Sequence, residues 1–217
     1  MSWQKELERE LVRRLPSAAQ YHISGSALDP DQLDPWSDLD LHVDLMGSTD
    51  PVGLFDDLDV WAVSEDLTGE KQVLRAVLLD GRRMDVVVGG GLVLVPSQAA
   101  DNDIRMLAAL AAAKLGRRDH LIGLHLTLEL MRSCLVQAML LRDRDVGTSV
   151  HRFGSDRDAM AAEVADLLQG PIGISPRPNI VERAVELYGK WRRQLDPAYE
   201  PNWSGLWALT ARGLESQ

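Results

Sequence analysis

Apolar and polar positions alternate without a break from Asp38 to Leu45. One side of this segment carries Leu39, Leu41, Val43 and Leu45, and the other side carries Asp38, Asp40, His42 and Asp44. A period of two residues is typical of a strand that buries one face and leaves the other face open. We therefore predict a strand here whose open face is rich in carboxylates.

Further β-structure is predicted on both sides of this strand. The runs rich in β-forming residues are Tyr21–Ser24, Val60–Val63, Lys71–Leu79 and Arg82–Val88. The last two runs are separated only by Asp80-Gly81, a preferred dipeptide for a two-residue hairpin turn. These two runs are therefore expected to pair as a hairpin.

Helical periodicity dominates after Pro96. The predicted helices are Ser2–Leu15 and Asp50–Asp57 before that point, and Asp103–Leu115, Asp119–Asp143, Ser155–Leu168, Asn179–Leu195 and Trp203–Leu214 after it. The change of pattern predicts a domain boundary within 96–102. We expect an α+β protein with a small mixed β-sheet flanked by helices over residues 1–98 and a helical bundle over residues 99–217.

The charge balance narrows the choice of partner. The chain has 33 acidic and 23 basic residues and a formal net charge of −10. A protein that grips a long polyanion usually presents a basic face, so nucleic acid is not expected as the main partner. An acidic cleft would instead concentrate a cationic small molecule.

The chain shows no signal for secretion or for membrane insertion. No uninterrupted apolar run approaches the roughly 18 residues of a membrane span, and the first residues, MSWQKELERE, are too charged for a signal peptide. Cys134 is the single cysteine, so an intramolecular disulfide is impossible. These features predict a cytoplasmic protein that does not bind membranes.

Gly25-Ser26 follows the first predicted strand and is a candidate phosphate-binding turn. Glycine lets the backbone approach a phosphate closely, and the serine hydroxyl and free N–H groups can hold phosphate oxygens. A Gly-Ser pair is also common in ordinary turns, so taken alone it fits both interpretations.

Asp38 and Asp40 are candidate metal ligands. Residues i and i+2 of a strand point the same way with Cα atoms about 7 Å apart. Carboxylates so placed suit Mg²⁺ or Mn²⁺ ions roughly 3.5–4 Å apart, the arrangement that clamps the phosphates of a nucleotide. The alternative is a solvated strand face, although neighbouring like charges are normally avoided in sheets.

Asp85 is an acidic residue inside the β-branched run of the predicted hairpin. A carboxylate in such a run is costly unless it has a partner. It could complete a metal site with the other two carboxylates or accept a proton from an attacking hydroxyl. It could equally form an ion pair with Arg83 or Arg75 at a strand edge.

Together these residues resemble the DNA polymerase β-type nucleotidyltransferase superfamily. Its members carry Gly-Ser, a short spacer, Asp-x-Asp or Asp-x-Glu on a strand, and another Asp on a later strand. Here eleven residues separate Gly25-Ser26 from Asp38-Leu39-Asp40, Ser37 matches a frequent choice before the first Asp, and Asp85 follows on a later strand. The resemblance spans residues 18–95.

The resemblance implies an enzyme that transfers a nucleoside monophosphate, AMP in the first instance, from a nucleoside triphosphate to a hydroxyl and releases pyrophosphate. It implies that Gly25, Ser26 and Ser37 bind the triphosphate. Asp38, Asp40 and Asp85 would bind two Mg²⁺ ions, or Mn²⁺, with Asp85 as the third ligand or the general base.

Small members with a helical second domain are similar to this chain in length and layout. They include aminoglycoside adenylyltransferases and lincosamide nucleotidyltransferases, which implies a role in antibiotic resistance. One alternative is adenylylation of a protein partner, as in toxin–antitoxin pairs, but that activity needs no large acceptor domain. Another is a non-catalytic nucleotide-binding relative, which the presence of Gly-Ser and all three carboxylates disfavours.

The helical half adds candidates for acceptor binding. His125, Glu129 and Arg132 form a polar stripe at i, i+4 and i+7 of a predicted helix. The resemblance implies that Glu129 could be a carboxylate base and that Arg132 could contact phosphate. The alternative is an internal Glu129–Arg132 pair at a helix–helix contact. His151-Arg152 is a second candidate cationic pair.

Overall fold

The first half of the chain forms one mixed five-stranded sheet in the computed structural model, which describes residues 2–28, 33–150 and 153–215. The strands are β1 (Gln20–Ser24), β2 (Leu39–Asp44), β3 (Val60–Thr68), β4 (Lys71–Leu78) and β5 (Arg83–Gly89). Their order across the sheet is β1-β2-β5-β4-β3. Strands β2 and β5 are parallel, and the other neighbours are antiparallel. The predicted mixed sheet is therefore confirmed.

One face of this sheet is the core of the first half. The apolar residues of β2 are buried there, as are Met84, Val86 and Val88 of β5. Helix α1 (Trp3–Val12) begins after the N-cap Ser2 and packs Leu7 and Leu11 into the same core. The alternation predicted for β2 is confirmed, and the other face of the sheet is left to polar side chains.

The hairpin predicted at Asp80-Gly81 is confirmed, since β4 and β5 pair as antiparallel neighbours. A second hairpin joins β3 to β4, and the sequence analysis missed it by ending β3 at Val63. The rest of β3, from Glu65 to Thr68, is exposed at the edge of the sheet. An exposed edge carries charged residues that hide the strand period.

The helix predicted over Asp50–Asp57 is wrong. Val52 instead bridges Val93 in parallel, donating its N–H to the Leu92 carbonyl and accepting from the Leu94 N–H. The chain then turns, with Leu54 and Phe55 buried in the core. Backbone pairing and core burial outweigh a helical pattern that Pro51 and Gly53 already weaken.

The part of the chain after Pro96 is helical, as predicted. Its described helices are α2 (Asn102–Gly116), α3 (His120–Val146), α4 (Met160–Asp166), α5 (Ile180–Leu195) and α6 (Ser204–Glu215). Helices α3 and α5 pack together, and the buried Cys134 thiol of α3 lies 3.3 Å from the Ala184 carbonyl of α5. The arrangement of all these helices as a bundle stays a prediction.

The chain divides into two compact units. The first contains Met1–Met106 and Ala211–Gln217, and the second contains Leu107–Thr210. The last turns of α6 therefore belong to the unit that contains the sheet. The predicted domain division at residue 98 stays a prediction.

Helix α3 is long and apolar enough to cross a membrane by length and composition alone, the one such helix among the described residues. In its most apolar window, 39% of the helix is buried inside the protein. Core helices of soluble proteins meet the same criterion.

Candidate functional site

Asp40 and Asp85 lie side by side on the polar face of the sheet. They are register partners in the parallel pair β2–β5, which places their Cα atoms about 4.8 Å apart with both side chains on one face. Ser24 of β1 is the register partner of Asp40 on its other side, and Arg75 of β4 is the partner of Asp85. A row of Ser24, Asp40, Asp85 and Arg75 therefore crosses the sheet.

Gly25 directly follows Ser24 and packs against the side chain of Asp40. It begins a 3₁₀ turn, Gly25–Leu28, that contacts both β1 and β2. Its φ of +67° is a left-handed conformation, and a Cβ atom at this position would overlap the Oδ2 atom of Asp40. Only glycine satisfies both conditions, so the backbone of the predicted phosphate-binding turn comes directly against the carboxylate.

Asp38 is held by a buried arginine. An Oδ2 atom of Asp38 accepts a hydrogen bond of 2.6 Å from Nη2 of Arg83, whose side chain is only 8% exposed. The same Nη2 lies 3.3 Å from the Trp36 carbonyl. A desolvated, charge-assisted pair of this kind fixes the orientation of the carboxylate.

Asp85 has an unusual protonation equilibrium. Burial raises its pKa, and the charges of Asp38 and Asp40 raise it further, to about 6. Arg75, 3.3 Å away, and Arg83 act in the opposite direction without cancelling the effect. The carboxyl group can therefore exchange a proton near neutral pH, which suits a general base.

The three carboxylates match the chemistry of a magnesium site. They are hard oxygen donors, and the charges of Asp38 and Asp40 raise the pKa of Asp85. Asp38 and Asp85 are also paired with arginines. Within the described ranges, no three His, Cys, Asp or Glu side chains are already arranged as metal ligands. As oxygen donors, the three carboxylates are of the ligand type that Mg²⁺ prefers.

The two predicted serines have different surroundings. Ser26 lies half-buried in the 3₁₀ turn next to Gly25. Ser37 is buried, and its hydroxyl lies within hydrogen-bond distance of both the backbone N–H and the carboxylate of Asp34. The structure therefore gives Ser37 a place in the turn that leads into Asp38.

The candidates in the helical half belong to the second unit. Glu129 is half-exposed and lies 3.4 Å from His125 one turn away on α3, and Arg132 is exposed on the same helix. The side chain next to Glu129 is thus that of His125, and Glu129 forms no ion pair with Arg132 among the described residues. His151 and Arg152 lie outside the described residues.

The sequence analysis missed several residues of the polar face. The sequence suggests Arg83 and Arg75 only as partners of Asp85, whereas Arg83 holds Asp38. His22 and His42, register partners one row along from Ser24 and Asp40, stack with ring centroids 4.6 Å apart. No spacing rule pairs residues 22 and 42, although His42 already stood on the polar side of the alternating strand.

The sequence matches no protein-family model and none of the curated proteins. Among solved structures, the chain is similar to an aminoglycoside 6-adenyltransferase from Bacillus subtilis, with 11% identity, a TM-score of 0.35 and coverage of 97% of this chain and 98% of that one. It is also similar to the polymerase core of TRAMP, an RNA surveillance complex, with 16% identity, a TM-score of 0.27 and coverage of 91% and 58%. Similarity at this level assigns neither a fold family nor an activity to this chain.

Proposed function

We propose that the chain is a magnesium-dependent nucleotidyltransferase that moves a nucleoside monophosphate, AMP in the first instance, to a hydroxyl of a small molecule. One observation carries this proposal: Asp40 and Asp85, 45 residues apart in the sequence, are direct neighbours, with Gly25 packed against Asp40. The elements of the predicted Gly-Ser, Asp-x-Asp and later Asp pattern thus meet at one corner of the sheet.

In the proposed reaction, the acceptor oxygen forms a bond to the α-phosphorus of the triphosphate. The bond from that phosphorus to the bridging oxygen breaks, and pyrophosphate leaves with the electron pair. Asp85 takes the proton of the acceptor hydroxyl, since its pKa of about 6 leaves it ionised but still basic at neutral pH. Gly25 and Ser26 hold the leaving phosphates through backbone N–H groups and the hydroxyl.

Asp38 and Asp40 would hold Mg²⁺, which neutralises charge on the phosphates during transfer, and Asp85 would be the third ligand where Glu129 is the base. Arg83 orients Asp38 through its buried hydrogen bond. Catalysis of this type depends on positioning and on charge stabilisation more than on covalent chemistry.

The acceptor in this proposal is a small molecule, with aminoglycoside and lincosamide antibiotics as the first compounds to test. In the same proposal, Glu129 is the alternative to Asp85 as the base, and Arg132 is a phosphate contact. Both residues are accessible on α3, which such roles require.

The test is pyrophosphate release from ATP and Mg²⁺ across a panel of aminoglycosides and lincosamides. Asp40→Ala should abolish both the release and the Mg²⁺-dependent binding of ATP while the protein stays folded. Asp66→Ala is the matched control, because Asp66 is an exposed carboxylate on the same face of the sheet, on edge strand β3. Full turnover by Asp40→Ala would refute the site, and no release with any acceptor would remove the antibiotic assignment.

A further inference from the structure

A pocket of about 370 Å³ opens on the polar face of the sheet, beyond the carboxylate row. Its lining includes Gln20 and His22 of β1, His42 and Asp44 of β2, Lys71 of β4 and Gly89 of β5. The volume is that of a site for one small organic molecule. All of these residues belong to the unit that contains the sheet.

The pocket lies on the opposite side of Asp40 from the Gly25-Ser26 turn. Strand β1 pairs Ser24 with Asp40 and Gln20 with Asp44, so Gly25 follows at the Asp40 end and the pocket lies at the Asp44 end. His42 is two residues from Asp40, which is about 7 Å along the strand. A molecule in the pocket can therefore reach the carboxylates.

This order along the strand matches the requirement of in-line displacement. The attacking oxygen and the leaving oxygen must lie on opposite sides of the phosphorus. If the leaving phosphates bind at Gly25-Ser26 and the α-phosphorus lies at Asp40 and Asp85, the acceptor approaches from the side of the pocket. This step rests on the proposed function.

The groups available to a ligand in the pocket are mainly nitrogen donors. Asp44, the acidic residue of the lining, has its Oδ1 within hydrogen-bond distance of the Met46 N–H, at 2.8 Å, and next to Gly90. The side chain of Lys71 makes no hydrogen bond or ion pair with any described residue, so its ammonium is available to a ligand in the pocket. One oxygen of Asp44 is thus engaged by the backbone, whereas the ammonium of Lys71 and the imidazole nitrogens of His22 and His42 are groups that can hold an oxyanion.

We propose that this pocket is the acceptor site and that the acceptor is a small hydroxylated molecule bearing an oxyanion, a phosphate or a carboxylate, which Lys71, His22 and His42 bind. The net charge of −10 had favoured a cationic acceptor. Exposed charges are largely screened beyond about 8 Å at physiological salt, so the residues in contact with the ligand decide its charge.

Gly89 lines the pocket and offers a position where a larger side chain would block it. A Cβ atom at Gly89 would meet no atom within 4 Å, and Gly89 has no left-handed φ. Gly89→Leu therefore fills the pocket without a backbone clash. Lys71→Met removes the charge and keeps most of the side-chain volume. Lys5→Met, at an exposed position of α1, is its matched control.

The experiment titrates the full-length protein with inorganic phosphate and, separately, with methylammonium, while the imidazole NMR signals of His22 and His42 are followed. Phosphate should move both signals along a saturable curve, and methylammonium should not. Lys71→Met should weaken phosphate binding about tenfold, Gly89→Leu should abolish it, and Lys5→Met should leave it unchanged. No saturable phosphate effect, or no effect of Lys71→Met, would overturn the proposal.

A second titration distinguishes an acceptor oxyanion from the phosphates of the nucleotide. Phosphate is added to protein saturated with Mg²⁺ and a non-hydrolysable ATP analogue. Continued binding in the pocket supports the acceptor assignment, and displacement by the analogue overturns it. If the analogue binds neither to the wild type nor to Asp40→Ala, the result counts against nucleotidyl transfer. The effect of Lys71→Met on phosphate binding still tests the oxyanion site independently.

Discussion

Gly25 meets a conformational and a steric requirement at once. Its left-handed φ of +67° disfavours any side chain, and a Cβ atom would collide with the carboxylate of Asp40. Gly25→Ala should therefore displace Asp40 and lower the rate of pyrophosphate release by about a hundredfold or more, in keeping with the cost of misplacing a reacting group by 1 Å.

Gly69→Ala is the control for that variant. Gly69 has a similar φ of +62° in the β3–β4 turn, but a Cβ atom there would meet no atom within 4 Å. Both variants should lose about 1 kcal/mol of stability from backbone strain, measured by denaturant unfolding. Only Gly25→Ala should lose activity. Equal activity in the two variants would show that the contact with Asp40 does not matter for turnover.

Asp85 is expected to lower the stability of the fold at neutral pH. A carboxyl group whose pKa rises on folding, here from 3.8 to about 6, binds protons more tightly in the folded state. Its contribution to stability is thus largest below about pH 4 and is lost as the pH rises towards 6. The side chain is 34% exposed, so solvent screening reduces the effect to about 1 kcal/mol.

Asp85→Asn should therefore raise the free energy of unfolding at about pH 7.5 and flatten its decline between about pH 4.5 and 6.5. The same variant should lose activity because the proton acceptor is gone. Asp66→Asn is the control for loss of an exposed carboxylate from this face. A variant less stable than wild type at neutral pH would show that the Arg75 pair outweighs the burial of the charge.

At the scale of elements, a buried amide joins the start of α2 to the sheet. The side chain of Asn102 accepts the Val63 N–H at 3.0 Å and donates to the Val63 carbonyl at 2.8 Å. These two bonds satisfy the backbone of β3 much as a neighbouring strand would. An unsatisfied buried group costs about 1–3 kcal/mol, so both groups of Val63 depend on this residue.

Asn102→Leu should lower the free energy of unfolding by about 2–4 kcal/mol, because two buried backbone groups lose their partners. Activity per folded molecule should change little, since Asn102 contacts none of the carboxylates. Asp103→Leu, at the next and exposed position of the same helix, is the control for adding an apolar residue there. Denaturant unfolding and pyrophosphate release measure the two effects separately.

The elements that the sequence predicted well are those whose pattern reflects local packing. The alternation of β2 and the Asp80-Gly81 turn depend only on neighbouring residues, and both were predicted correctly. The segment at Val52 was not, because its conformation depends on backbone pairing with Val93, 41 residues later. Tertiary pairing of this kind overrides a local helical pattern and leaves no periodic trace.

The candidate site likewise has a part that the sequence predicted and a part that it did not. The identities of Gly25, Asp38, Asp40 and Asp85 could be proposed from motif spacing. Their proximity could not, because the adjacency of Asp40 and Asp85 follows from the position of β5 between β2 and β4 in the strand order. The Asp38–Arg83 bond and the His22–His42 stack depend on the same topology, so no local signal pointed to them.

At the scale of the whole molecule, the last turn of α6 packs against a residue beside the candidate site. Gly213, near the end of α6, packs so closely on Trp36 that a Cβ atom would overlap the indole ring. Trp36 is buried, and its carbonyl contacts the same Arg83 that holds Asp38. The last turn of α6 thus packs against the residue whose carbonyl contacts the arginine that holds Asp38.

Gly213→Val should push on Trp36 and, through Arg83, on Asp38. Overpacking of a filled core costs about 1–3 kcal/mol, so the free energy of unfolding should fall by that amount, and pyrophosphate release should fall as well. Glu215→Val, at an exposed position in the same last turn, carries the same β-branched side chain without the overlap and should leave activity unchanged. If Gly213→Val lost stability but kept full activity, Trp36 would support the fold without positioning Asp38.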